Sequence, residues 1–332
     1  MKKLLAIILT VLMLVSMAAC QSGDEKETPA AENQVETANE KYVVGVCQLV
    51  PHVALDAATQ GFVDTLYAEF GEENIEIVIE DASGDVATCA QIVNTFVSDD
   101  VDLIMANATP ALQAAAAATG DIPILGTSVT EYGVALDIKD FSGTVGGNVS
   151  GTSDLAPLDE QAAMVKEWFP DATNVGLLYC SAEANSQYQV DTVQTELEAL
   201  GYTCTQYAFS DSNDMQAVAQ KAADESDVVY VPTDNTVASA AGIVKDVCTA
   251  AGVPVVAGEE GVCAGCGVAT LSISYYDLGV KTGQMAIQIL KGEADISTMA
   301  VAYADNFTKK YNAAICEALG LTPLEGYVAI EG

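Results

Sequence analysis

There is no arginine in this 332-residue chain; its twelve basic residues are all lysines, set against 47 acids for a net charge of -35. Without a guanidinium fork, any carboxylate or phosphate must be held by lysine, hydroxyls, amides or backbone N–H groups. A surface this acidic repels phosphate backbones, which excludes nucleic acid as a partner. One histidine, His52, excludes chemistry that needs two in a chain, and one tryptophan, Trp168, offers few flat platforms for a sugar. Gly-x-Gly-x-x-Gly, Walker and Gly-x-Ser-x-Gly motifs are missing after the strands. Lys281-Thr282-Gly283 occurs without the Ser-x-x-Lys that would give it meaning. No catalytic residue, metal site or cofactor is therefore expected.

Half of the residues are hydrophobic, a globular composition, and the length suggests two domains. Residues 1–19 read as a signal peptide. A basic start is followed by an apolar run, Leu4 to Met17, too short for a comfortable transmembrane span. The run ends in Met17-Ala18-Ala19-Cys20, which resembles a bacterial lipobox, with Cys20 as the lipidated N-terminus. Residues 20–41 follow as a disordered tether, acidic and without an aromatic. Eight more cysteines lie beyond it. Most fall on apolar strand or helix patterns, where buried free thiols act as small hydrophobes. Cys263 and Cys266 are close enough for a local disulfide or, less simply, a metal, although no second Cys-x-x-Cys or histidine pair exists.

From Tyr42 onward, short apolar strands alternate with amphipathic helices, once to about residue 153 and again from Pro157. Strands are expected at Tyr42–Cys47, Ile75–Ile79, Asp102–Met105, Ile122–Leu125, Asn174–Cys180, Tyr202–Phe209, Val228–Val231, Val253–Ala257, Val268–Ile273 and Met299–Ala304. Phe141–Asp154 reads as a crossover. Apolar strands separated by helices mean parallel sheets covered on both faces, so the expected fold is α/β with two doubly wound lobes.

Ligands of open α/β sheets lie beyond the carboxyl ends of the strands, so the residues that follow each strand are the candidates. In the first half these are Gln48, His52 and Leu55, then Asn107 and Thr109, then Thr127 and Ser128. In the second half they are Glu183, Asn185 and Ser186, then Asp234 and Asn235, then Glu259. Thr109 and Ser186 open helices whose free amides make an anion site without a cation. Glu183 and Asp234 can hold an ammonium. The combination describes an α-amino-acid site, although such residues before helices also serve as N-caps. The set therefore carries the reading better than any member.

These loops resemble those of the solute-binding lipoproteins of ABC transporters that include tryptophan and aromatic-amino-acid uptake systems. The resemblance rests on Gln48 with His52-Val53-Ala54-Leu55-Asp56, Ala108-Thr109-Pro110-Ala111, Gly151-Thr152-Ser153-Asp154 and Glu183-Ala184-Asn185-Ser186. It continues through Pro232-Thr233-Asp234-Asn235, Tyr275-Tyr276-Asp277-Leu278-Gly279 and Leu290-Lys291-Gly292-Glu293. Departures fall at Pro51-His52-Val53, at Glu131-Tyr132 and at Cys263-Ala264-Gly265-Cys266, where the family usually has other residues. The resemblance implies a type I periplasmic-binding fold with a three-segment hinge. It places residues 42–153 plus about 277–292 in lobe 1 and 154–274 plus about 298–332 in lobe 2. Chain crossings are expected near 150–156, 273–277 and 292–299. It further implies a monomer outside the cytoplasm, held to the membrane by its lipid only. That monomer would deliver an aromatic or apolar L-amino acid to an ABC permease and its ATPase. Alternatives are a nucleoside or sugar binder on the same fold, or a sensor or adhesin that serves no permease.

Overall fold

Apolar strands cannot leave either face in water, and here helices cover both sides of two separate sheets. The computed structural model describes residues 41–330. The expected signal peptide, Cys20 and nearly all of the tether lie outside the described residues. The first sheet contains β1 (Tyr42–Gln48), β2 (Ile75–Asp81), β3 (Leu103–Asn107), β4 (Ile124–Val129), β5 (Val149–Ser153) and β11 (Ala302–Tyr303). Its order is β11-β5-β4-β3-β1-β2, all parallel. The second contains β6 (Asn174–Cys180), β7 (Thr203–Phe209), β8 (Val228–Val231), β9 (Val255–Ala257), β10 (Ala269–Ser272), β12 (Thr308–Tyr311) and β13 (Val328–Ala329). Its order is β13-β12-β10-β9-β8-β6-β7, parallel except where β12 meets β10.

Helices α1 (Val53–Phe70), α2 (Val86–Ser98), α3 (Thr109–Ala118), α4 (Tyr132–Ala135) and α11 (Tyr275–Leu290) surround the first sheet. Around the second are α5 (Leu158–Trp168), α6 (Ala184–Ala199), α7 (Ser212–Glu225), α8 (Asn235–Ser239), α9 (Ala241–Ala251), α10 (Glu260–Cys266) and α12 (Ala313–Ala318). The two-residue period of a strand divides each core. In the first sheet Val44, Val46, Leu103 and Met105 face α1 and α11, where they meet Phe62, Leu66 and Met285. Cys47, Ile104 and Ala106 face α2 and α3, against Val93, Phe96 and Leu112. Full burial of each such side chain contributes about 1.5–3 kcal/mol. The second sheet repeats the division, with Leu177, Tyr179 and Tyr230 on one face and Leu178, Val229 and Val231 on the other.

Helices α1 and α11 lie unusually close. A Cβ at Gly61 would strike the carbonyl of Tyr276, and one at Gly279 the carbonyl of Ala58. This contact fastens the first lobe to the segment that returns from the second.

The doubly wound α/β expectation is borne out, with three local corrections. The segment 141–154 is not all crossover, because Val149–Ser153 enters the sheet as β5. Glycines and serines mask the strand, which is pinned when the Tyr132 hydroxyl donates to the Thr152 carbonyl at 3.0 Å. The strand expected at Met299–Ala304 shrinks to β11 and pairs with β5, so residues up to 303 belong beside the first sheet rather than in lobe 2. The third crossing therefore falls between β11 and β12, not near 292–299. Finally, the polar Thr308–Tyr311 forms a strand, antiparallel to β10, that the sequence pattern did not show.

All eight described cysteines are free, Cys263 and Cys266 among them, both buried on α10. Among the described residues no group of three His, Cys, Asp or Glu could hold a metal ion. No described helix is long and apolar enough to cross a membrane.

Candidate functional site

The carboxyl ends of both sheets and the connections between them converge on one cavity. It is lined by His52, Leu55, Ser128 and Thr130 from the first lobe. Asn185, Thr233, Asp234, Asn235, Ala238 and Glu259 line it from the second. Asp154 and Tyr275 complete it from the connecting segments that follow β5 and β10. No lysine is among these residues.

Four buried polar atoms in this wall have no hydrogen-bond partner: Asp154 Oδ1, Asn185 Oδ1, Ser128 Oγ and His52 Nδ1. Leaving a buried polar group unpaired costs about 1–3 kcal/mol, so four around one cavity describe a surface made for another molecule. Neighbouring contacts fix their polarity. Asn185 is 4% exposed, and its Nδ2 donates to the Thr233 carbonyl at 3.0 Å, which leaves its oxygen toward the cavity. Asp154, 5% exposed, accepts the Tyr275 hydroxyl on Oδ2 at 3.0 Å and keeps Oδ1 free. His52 Nε2 meets Asn235 Oδ1 at 3.3 Å. Because Asn235 Nδ2 is occupied with Glu183 at 2.6 Å, that nitrogen must donate, and Nδ1 is left as an acceptor. Three free acceptors and one hydroxyl thus face the cavity.

Charge sharpens this. Burial pushes Asp154 up to about 6, with the Tyr275 hydrogen bond opposing it. Burial, with help from the nearby Glu183 charge, pushes Asp234 up to about 7. Burial also pushes Glu259 up to about 7. Desolvation holds His52 below its ordinary range, so it is neutral. The cavity is an acceptor-rich, anionic enclosure without a protein cation.

Seven of the thirteen expected site residues line this cavity: His52, Leu55, Ser128, Asn185, Asp234, Asn235 and Glu259. The other six do not. Gln48 donates to Asp56 and accepts from Thr59, so both ends of its amide are used within the first lobe. Asn107 donates to the Leu55 carbonyl at 2.8 Å and fastens β3 to α1. Thr127 accepts from Thr152 at 3.1 Å, while Thr109 is buried in the first turn of α3. Ser186 is fully buried and accepts from Asn185. Glu183, expected to hold an ammonium, instead caps α8. Its two oxygens accept the amides of Asn235 and Thr236 and both of their side chains.

Asp234 and Glu259 line the cavity but also work as N-caps. Asp234 accepts from Cys180 N at 2.7 Å and Val237 N at 2.9 Å. Glu259 accepts from the amides of Gly261 and Val262. Sequence reasoning did not nominate Thr130, Asp154, Thr233, Ala238 or Tyr275. Asp154 and Tyr275 had a signal, since both stand at the expected chain crossings, which border any cleft between lobes.

Two hydrogen bonds cross the cleft directly. One is His52 to Asn235; in the other, Gln189 Nε2 donates to Thr130 Oγ1 at 3.3 Å. The lobes are closed on each other.

Two α/β lobes, connecting strands between them and a closed polar cavity at the junction define a two-lobed solute receptor of the type I periplasmic-binding fold. The chain belongs to the ABC transporter substrate binding protein family, whose pattern it matches over residues 43–328. It is 36% identical over 295 residues to the Tyrosine-binding protein of Clostridioides difficile (strain R20291), spanning 88% of this chain and 85% of that one. Among solved structures it resembles the ABC domain in complex with L-Trp from Streptococcus pneumonia. The TM-score there is 0.83 at 30% identity, covering 88% of this chain and all of the other. It also resembles the ligand-free, open form of a substrate binding protein with adhesive properties from Clostridium difficile. That match has a TM-score of 0.67 at 37% identity over 87% of this chain and 99% of the other. A lower score at higher identity is what a different angle between lobes produces, and it agrees with the closed cleft seen here.

Proposed function

We propose that this chain is the extracytoplasmic receptor of an ABC importer and that it binds an aromatic L-amino acid between its lobes. The observation that carries the reading is the set of unpaired acceptors, Asp154 Oδ1, Asn185 Oδ1 and His52 Nδ1, beside three buried carboxylates. An ammonium brings three N–H donors, no acceptor and a positive charge, which is what this wall lacks. A sugar or nucleoside brings hydroxyls and leaves the charge uncompensated. Leu55, Ala238 and the Tyr275 ring give apolar surface for a side chain. The tyrosine-binding relative and the L-Trp complex supply the aromatic class.

Residues 1–19 direct export, and Cys20 carries the lipid that keeps the receptor at the membrane. The chain acts as a monomer, without catalysis, and hands its ligand to a permease driven by an ATPase. Isothermal titration of the protein with L-tyrosine, L-tryptophan and L-phenylalanine tests the central claim. Binding of at least one is expected; no heat from any aromatic or branched-chain amino acid sinks the assignment.

A further inference from the structure

ABC substrate-binding proteins work outside the cytoplasm, where disulfides form and persist. The eight described cysteines are all free thiols, and two of them meet in the core of the first lobe. Cys47 is the last residue but one of β1, and Cys89 lies near the start of α2. Both are 0% exposed and belong to the core that β1 shares with α2 and α3. Their thiols hydrogen-bond to each other.

This pair differs from Cys263 and Cys266, which stand three apart on α10. Helix geometry holds such Cβ atoms about 5–6 Å apart, whereas a disulfide takes about 3.5–4.5 Å. Cys47 and Cys89 come instead from a strand and from a helix packed on it, with no shared backbone to keep them apart. Their hydrogen bond also has a direction. It pushes Cys47 up, with burial adding to it, and draws Cys89 down against burial and the charges of Asp85 and Asp81. The Cys47 thiol therefore donates and the Cys89 sulfur accepts, so Cys89 is the sulfur that loses its proton first and attacks.

We propose that Cys47 and Cys89 close into a disulfide when the chain folds outside the cytoplasm, fastening α2 to β1. The oxidant is itself a disulfide. The Cys89 thiolate attacks one of its sulfurs, and the other sulfur leaves and takes up the Cys89 proton. The Cys47 thiolate then attacks Cys89 and expels the second oxidant sulfur, which takes up the Cys47 proton. One S–S bond forms in the protein and one breaks in the oxidant, whose disulfide is reduced to two thiols as the two cysteines are oxidised. The exchange precedes the docking of α2, because the packed core leaves neither sulfur open to a reagent. The loop it closes holds α1 and β2, and with them His52 and Leu55 of the cavity wall. A link across about 40 residues restricts the unfolded chain and so stabilises the fold.

The test unfolds the full chain in guanidinium with reductant and refolds it with oxidised glutathione as the oxidant. Free thiols are then capped with N-ethylmaleimide. The protein is cut at the glutamates and aspartates that separate the two cysteines, and the peptides are weighed. A peptide pair joined through Cys47 and Cys89 is expected, while protein refolded in reductant keeps both thiols, as in the structure. The oxidised form should melt at least ~4 °C above the reduced form. In Cys89→Ala the two forms should melt together; if that variant does not refold, the mapped wild-type peptides decide. Recovery of Cys47 and Cys89 both capped, or either one joined to another cysteine, overturns the inference. The bond needs no amino acid in the cleft, so failure of every ligand titration leaves it standing.

Discussion

Replacing Asp154 with asparagine separates what the site costs the fold from what it gains the ligand. The carboxylate has an ordinary value of 3.8 and is pushed up to about 6 by burial. In an unfolded chain it ionises first, so between those two values the folded state holds the extra proton. Stability from this group is therefore intact below about pH 3.8, falls as the pH rises, and reaches its full deficit above about 6. At 1.36 kcal/mol per unit, the deficit at pH 7 is about 3 kcal/mol. Asparagine keeps an oxygen for the Tyr275 hydroxyl, carries no charge and escapes this deficit. The variant should unfold at least several degrees higher than wild type without ligand at pH 7. Its affinity for L-tyrosine should fall by about 10- to 100-fold, the worth of a charge-assisted hydrogen bond of about 1.5–3 kcal/mol. Differential scanning calorimetry and isothermal titration read the two effects on one sample. A melting point that does not rise refutes the argument that the buried charge is a burden. Unchanged affinity refutes Asp154 as the ammonium partner.

Other consequences can be checked independently. Asp154, Asp234 and Glu259 are pushed up to about 6, 7 and 7, so a cationic ligand must displace protons from the empty site. Affinity for L-tyrosine should increase from pH 5 to pH 8, and titrations in buffers of differing ionisation heat should show proton release; a flat profile would contradict the anionic enclosure. Gly61→Ala and Gly279→Ala should each destabilise by about 1–3 kcal/mol in urea unfolding, because the added methyl meets the backbone of the facing helix. Equal midpoints would mean that the α1–α11 contact is looser than it looks. Of the eight described cysteines only Cys204 is not fully buried. Ellman's reagent should therefore label it slowly under native conditions and the other seven only after denaturation, and rapid native labelling of several would refute the burial.

The strands were legible because both faces of a parallel sheet are buried. YVVGVC and NVGLLYC need no neighbour to be recognised, and both appear where expected, as β1 and β6. β5 and β12 were not legible. VSGTS owes its place to Tyr132 and to the flanking β4, and TKKY sits near a sheet edge where polar side chains can face water. The break at Ala240 that separates α8 from α9 was not legible either: α8 is held at its start by its own cap, Asp234, and by Glu183 from the loop after β6. In the site, every nominated residue followed a strand, as the topology of such sheets requires. Strand-end position alone could not separate wall from support: Glu183 and Asp234 looked interchangeable, both accept backbone amides, and only the packing of the lobes puts Asp234 on the cavity wall and leaves Glu183 off it.

The sequence by itself determined the class of chain, two α/β halves with an acidic surface and no guanidinium. It did so because periodicity and composition are local or summed properties. The tertiary structure decided which acid lines the cavity with a free oxygen. Asp154 and Tyr275 are joined across 121 positions by a hydrogen bond within the hinge, and burial there moves the carboxylate as no local pattern could.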